Sequence, residues 1–252
     1  MSKARFRTQV SETLAVCSVA GIVSVFASVP SKAEEQVQPP PYEIAGLNIV
    51  TVNVVWDDAA VRKALPRGIE PVKGMTGGIN IYNTERGYVV GPYSAAYFWV
   101  DIEGFDSPEG IKGRWMLAGV YGPGPKTTAA FQANGFPVRS GTSRFESIAD
   151  GKRAIGTVSG QDFVTAEIKS VPGSCEAGSV LLNYISMSPQ AKQLVVTHIP
   201  VVGDFCKADT VSAKITAAPG DPFAAFTIAK VVGMSEGRNI SVAITVPQPA
   251  EK

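Results

Sequence analysis

One histidine, three cysteines and one glycine–proline loop are the places where this 252-residue sequence could carry chemistry. His198 is the sole imidazole, so a metal held by several histidines is excluded, and a Ser-His-Asp triad would have to use it. It lies in Leu194-Val195-Val196-Thr197-His198-Ile199, a strand-like run where a hydrogen-bonded structural histidine is the simpler reading. Gly122-Pro123-Gly124-Pro125-Lys126 lacks the spacing of a phosphate loop, and its prolines lack the N–H groups that a phosphate cradle needs. Asp57 and Asp58 could touch a cation, but capping of the helix that follows accounts for them. No Cys-x-x-Cys pair is present, which argues against redox catalysis. Neither a metal nor an organic cofactor is expected from this set.

The elements that must position any site are mostly strands. In Ile49 to Trp56, Val50, Val52 and Val54 alternate with Thr51 and Asn53, the period of a half-buried strand. Ala59 to Leu65 follows as a short helix, stopped by Pro66, and Thr127 to Ala133 makes a second, capped at Asn134-Gly135. Further strands are expected over 79–83, 88–103 (bent), 113–121, 142–148, 154–159, 163–170, 180–187, 193–201, 210–216, 224–232 and 240–246. Pro172-Gly173, Pro189, Gly203-Asp204 and Pro219-Gly220 are read as turns between them. Many short strands with two short helices place the chain in a mainly β class, as a barrel or sandwich.

Residues 1–33 read as an export address. Lys3, Arg5 and Arg7 give a basic start, Thr13 to Val29 an apolar run, and Ser31-Lys32-Ala33 the small-x-small pattern of a signal-peptidase site. The rival reading is a retained membrane anchor. Cleavage near Ala33 would leave about 219 residues, one domain over 46–248 behind a proline-rich lead-in at 34–45, in the periplasm or outside the cell. Of 23 basic and 22 acidic residues the leader removes four (Lys3, Arg5, Arg7, Lys32) and one (Glu12), leaving 19 against 21. That balance, with no long basic stretch, excludes electrostatic binding to nucleic acid, and no membrane contact is expected after cleavage. Cleavage also removes Cys17, so Cys175 and Cys206 remain as one disulfide or as two unrelated buried thiols.

Ala60-Val61-Arg62-Lys63-Ala64-Leu65-Pro66, then Gly68-Ile69-Glu70, Gly91-Pro92-Tyr93, Ile111-Lys112-Gly113-Arg114-Trp115 and Gly135-Phe136-Pro137 occur in an order and spacing that resemble the acetoacetate decarboxylase family. Gly156-Thr157-Val158 and Val164 to Ile168 continue the likeness, which spans roughly 46–246. The resemblance implies an antiparallel β-barrel with a closed apolar pocket. In that family Gly-Phe-Pro precedes two lysines, the first of which forms a Schiff base with a β-keto acid. Here those positions are Val138 and Arg139, and neither side chain supplies a nucleophilic amine. Three other family positions also differ: Ala95 stands for one glutamate, Ile79 or Asn80 for another, and Leu47 for the arginine that holds the substrate carboxylate.

Imine decarboxylation is therefore not expected. Arg139 either lines the cavity or faces solvent with Val138 inward. Tyr93 and Asn80 are candidate polar contacts, although Tyr93, Tyr97, Phe98 and Trp99 also read as ordinary core. The expected function is that of an exported protein binding a small apolar carbonyl or carboxylic compound; the alternative is an enzyme of altered chemistry (lyase, isomerase or hydrolase) using Arg139, Tyr93 or Lys126. A homo-oligomer stays open.

Overall fold

The computed structural model describes residues 37–251, which belong to one compact unit; the leader and its cut site lie outside the described residues. The strands are β1 (Tyr42–Trp56), β2 (Thr76–Asn83), β3 (Arg86–Gly87), β4 (Ser94–Ile102), β5 (Gly113–Gly122), β6 (Val138–Ser140), β7 (Thr142–Ile148), β8 (Gly151–Val158), β9 (Gln161–Ser170), β10 (Glu176–Met187), β11 (Leu194–Ile215), β12 (Ile228–Ile244) and β13 (Gln248–Pro249). Two helices, α1 (Asp58–Ala64) and α2 (Pro125–Ala133), and a 3-10 turn at Pro222–Ala225 complete the set. The Asp57 carboxylate caps α1 by accepting the Ala59 N–H, as its position before the helix requires.

The sheet runs β10-β5-β4-β2-β1-β12-β11 and then returns to β10, because β10 also pairs with β11. The β5–β10 seam is parallel and holds only two paired residues, Tyr184 with Arg114 and Ile185 with Trp115, so closure is weakest there. A second parallel seam joins β5 to β6, and the other pairings are antiparallel. The fold is thus the expected mainly antiparallel, β-rich one, in a mixed sheet.

Two strands are much longer than the sequence suggests. The stretches read as 193–201 and 210–216 are a single strand, β11, and Gly203-Asp204 is not a turn. Pairing of β11 with β12 slips between Val202 and Asp204, and Gly203 occupies the slip because a Cβ there would run into Ile240. Likewise β12 continues through Gly233 and Gly237, where 224–232 and 240–246 had read as separate elements. Residues 88–93 are a turn, with Val89 and Gly91 both at positive φ, so β4 starts only at Ser94. Conversely, β1 begins at Tyr42, inside the proline-rich lead-in, and Tyr42 and Ile44 are buried.

Length gives β11 and β12 a second task. Ala208 to Ile215 of β11 leaves the ring and pairs with β9, which carries β8 and β7 in turn. This three-stranded extension covers the outer face of the ring: the Ser143 hydroxyl donates to the Tyr82 carbonyl, and the Ser143 N–H to the Ser94 hydroxyl. An apolar core with Val50, Val52, Val54, Ile79, Ile81, Phe98 and Phe163 fills the space between the two layers. A second cluster, largely aromatic, lies inside the ring.

Two local devices fasten the long strands. Cys175 and Cys206 form a disulfide, 31 residues apart, at the open end of the β10–β11 hairpin beside the Glu176–Phe205 pair. Glu236 on β12 is buried, and its carboxylate accepts from Lys152 on β8, from Ser170 at the end of β9 (2.6 Å) and from Arg238 (2.8 Å). Burial alone would raise its pKa; the hydrogen bonds from Arg238, Lys152 and Ser170 outweigh that and hold it at about 2.

Both devices have measurable consequences. Reducing the disulfide, or replacing both cysteines with serine, is expected to lower stability in urea unfolding by about 3–4 kcal/mol, the chain-entropy value for such a loop. Because the Glu236 pKa is depressed in the folded state, its contribution is present above the ordinary carboxylate range and lost as pH falls from 4.5 towards 2. Glu236→Gln should therefore lower stability at pH 7 and flatten the acid limb; an unchanged limb in urea titrations at pH 2–5 refutes the assignment.

Candidate functional site

Strand register builds a polar row inside the ring. Ser235 on β12 pairs with Thr51 on β1, Thr51 with Asn80 on β2, and Asn80 with Tyr97 on β4. The next partner, Gly119 on β5, has no side chain, and a Cβ there would meet Tyr97. The hydrogen bonds follow the row. The Thr51 hydroxyl donates to Asn80 Oδ1 (2.8 Å), Asn80 Nδ2 donates to the Tyr97 hydroxyl (2.6 Å), and the Tyr97 and Tyr184 hydroxyls meet at 2.8 Å. Arg114 Nη1, across the β5–β10 seam, donates a long bond (3.4 Å) to the Tyr184 hydroxyl.

A second row lies two residues further along the same strands. Tyr82 on β2 faces Ala95 on β4, and Ala95 faces Tyr121 on β5. The small alanine lets the two rings approach edge-on, 6.4 Å between centroids. Tyr93 stacks on Tyr121 at 5.8 Å, and its hydroxyl meets that of Tyr82 at 3.2 Å. Helix α2 supplies Phe131 and the turn after it Phe136, closing one end.

These rows enclose a cavity of about 300 Å³, within the size range of small-molecule sites. Its wall combines Leu47, Ile49, Val180, Leu182, Ile199 and Val242 with Asn80, Arg114 and the tyrosines at 82, 93, 97, 121 and 184. Arg114 is the single charged residue of the lining among the described residues. Its guanidinium lies 4.7 Å over the Trp99 ring. Trp99 can lie there because Gly78 beside it has no side chain; a Cβ would run into the indole. Burial opposes the charge on Arg114, but the fields of Tyr184, Tyr97 and Asp101 outweigh it, and its pKa stays above the ordinary value. Burial also raises the pKa values of Tyr82, Tyr93, Tyr97 and Tyr121 well beyond the usual phenol range. The site is therefore rich in fixed donors. Among the described residues no group of three His, Cys, Asp or Glu is placed to hold a metal ion.

No family model matches this sequence, and no curated relative does. Solved structures do. The enduracididine biosynthesis enzyme MppR, complexed with pyruvate, superposes with a TM-score of 0.64 at 15% identity, over 87% of this chain and 94% of that one. Acetoacetate decarboxylase from Legionella pneumophila gives 0.62 at 13% identity, over 94% and 98%. An acetoacetate decarboxylase-like enzyme from Sphingomonas wittichii RW1 gives 0.58 at 13%, over 89% and 98%. This chain has the acetoacetate decarboxylase-like fold.

Within that fold, two of the expected site residues reach the cavity and two do not. Asn80 and Tyr93 line it. Arg139 does not: its Nη2 donates to both Asp221 oxygens at 2.6 Å, and its guanidinium lies 4.9 Å over Phe223. Strand alternation in β6 turns Val138 towards the aromatic cluster, where it is buried behind the wall without lining it, and so turns Arg139 outward. Burial works against the Asp221 carboxylate, but Arg139 and the Phe223 N–H hold its pKa below the ordinary value. Lys126 is exposed on α2 and does not line the cavity. His198 Nδ1 bonds Asn183 Oδ1 at 2.8 Å, away from the cavity, as a structural histidine.

Sequence reasoning missed Arg114, Tyr82, Tyr121 and Tyr184, and read Tyr97 as core. One signal for Arg114 was available: period-two alternation from Arg114 to Met116 puts the arginine on the same strand face as an apolar residue. In alkaline titration followed at 295 nm, Tyr82, Tyr93, Tyr97 and Tyr121 should stay protonated well above pH 10. A raised folded pKa means that their contribution to stability is present below the ordinary phenol value and is lost as pH climbs through the folded one. Seven tyrosines titrating together near 10 in the folded protein would contradict this burial.

Proposed function

We propose that this chain is an exported protein that takes a small apolar carbonyl or carboxylic compound into the cavity and performs no imine chemistry on it. One observation carries the reading: the lining joins an aliphatic wall to phenols and one guanidinium, and among the described residues it includes no lysine, histidine, cysteine or carboxylate. A Schiff base needs a neutral amine, which an arginine cannot present. Proton abstraction needs a base, and phenols held protonated by burial are donors. What such a lining does well is hold an acceptor. Export is supported by the leader pattern and by a Cys175–Cys206 disulfide of the kind that persists in oxidising compartments.

A second reading, an enzyme of altered chemistry on the same fold, draws on the same donors. A guanidinium and protonated phenols facing one cavity are also what would stabilise a developing oxyanion or enolate. MppR, described as a biosynthesis enzyme complexed with pyruvate, shares the fold. The two readings part on the fate of the ligand: a binding protein returns it unchanged, whereas an enzyme releases a product.

Thermal-shift and native mass-spectrometric screening with small ketones and carboxylic acids should find ligands that raise the melting temperature. Saturation at a hundredfold over Kd corresponds to roughly 2.7 kcal/mol of stabilisation. Incubation with acetoacetate or pyruvate and borohydride should leave the intact mass unchanged, and the exported protein should begin near Glu34. A trapped covalent adduct overturns the non-imine reading, product formation favours the enzyme, and an N-terminus at Met1 overturns export by cleavage.

A further inference from the structure

The hydrogen bonds around the cavity leave donors unspent. The Thr51 hydroxyl hydrogen goes to Asn80 Oδ1, Asn80 Nδ2–H to the Tyr97 oxygen, and Arg114 Nη1–H to the Tyr184 oxygen. The Tyr97–Tyr184 contact consumes one phenolic hydrogen of two, whichever ring donates it. One phenol O–H of the pair therefore has no acceptor within the network.

Arg114 is left in the same condition. A guanidinium carries five N–H donors; Arg114 makes the one long bond to Tyr184, and its Nε is buried without any partner. No carboxylate among the described residues lies within ion-pairing distance of it. Asp101, its cross-strand neighbour, instead accepts the Thr76 hydroxyl (2.8 Å) through Oδ2. Trp99 covers one face of the guanidinium, which leaves the N–H edge for bonding. Buried donors of this kind are almost always satisfied in folded proteins. Arg114 is half-buried with its Nε fully so, and the field of Asp101 acts on it without a direct bond, so a carboxylate placed against its N–H edge would be strongly favoured.

We infer that the ligand is an apolar monocarboxylate whose anion is anchored by Arg114 and the Tyr97–Tyr184 pair on the β4, β5 and β10 wall. The inference rests on the reading of this cavity as a small-molecule site and narrows it to an anion. One carboxylate oxygen takes the guanidinium edge and the other the unspent phenol hydrogen, a charge-assisted pair of bonds. The hydrocarbon part then lies along Leu47, Ile49, Val180 and Leu182. A neutral ketone or amide of the same size satisfies a single donor and leaves the guanidinium without its counter-charge.

Calorimetric titration of the full chain with hexanoate against hexanamide, and 3-phenylpropanoate against 3-phenylpropanamide, tests it. In the wild type each acid should bind about tenfold or more tightly than its amide, the advantage expected of charge-assisted bonds. Arg114→Met, which keeps the apolar stem over Trp99, should remove that preference, bringing the acid-to-amide affinity ratio from about tenfold to near one. Tyr184→Phe, which keeps the ring, should weaken the acid more than the amide, lowering their affinity ratio by about threefold. The ratio of acid to amide affinity separates an anchor from a merely structural role, because loss of packing weakens both ligands alike. Equal binding of acid and amide to the wild type, or an acid preference that survives both substitutions, overturns the anchor while leaving the small-molecule site in place. Failure of all four probes in a folded wild type overturns the site itself and the anchor with it.

Discussion

Part of the cavity wall is built from strands that have no solvent face. β2, β4 and β5 are buried along almost their whole length, and the alternate residues of β1 turn to an apolar core on one side and to the cavity on the other. Each of these strands must satisfy two interiors at once, and that constraint organises the molecule. The outer interior asks only for close packing, so Val50, Val52, Val54, Ile79, Ile81 and Phe98 fill it. The inner one is not filled, and the residues around it are those able to keep a hollow from collapsing: rings braced edge to face, and polar groups tied in rows.

Register converts that constraint into a site. Because nearest cross-strand neighbours carry the hydrogen bonds, Thr51, Asn80 and Tyr97 meet only if β1, β2 and β4 pair as they do; a one-residue slip would send all three to the outer core. Small residues at fixed places in the same rows, Ala95, Gly119 and Gly78, make room for Tyr82, Tyr97 and Trp99 respectively. The lining is thus set by large and small side chains alternating across strands as well as by polar chemistry. The long strands β11 and β12 stabilise the arrangement from outside by carrying the covering sheet, with the disulfide and the Glu236 cluster at their joints.

The resemblance to acetoacetate decarboxylases was legible in short motifs, and the fold agrees with it at identities of 12–16%, too low for the shared architecture to carry a shared reaction. The polar groups of this chain stand at particular places. Arg139 is committed to Asp221, while the cation of this cavity comes from Arg114 on β5. Packing of the outer core fixes the backbone, which leaves the chemistry of the inner wall free to vary on one fold.

Taken alone, the sequence determined the β-rich class, both short helices with their caps, the β7 strand at its observed limits, the pairing of Cys175 with Cys206 as one of two open options, and Asn80 and Tyr93 as polar candidates. These depend on local rules: period-two alternation, capping, cysteine count. The tertiary structure decided the rest. Thr51 read as the wet side of a half-buried strand, yet it lines the cavity and bonds Asn80, because alternation says which residues share a face and not what that face meets. Gly203 read as a turn and lies opposite a bulge, because Asn239 and Ile240 of β12, more than 30 residues away in sequence, together face it. Arg114 and Tyr184 are 70 residues apart and meet only across the two-residue seam that brings the ring back to β10.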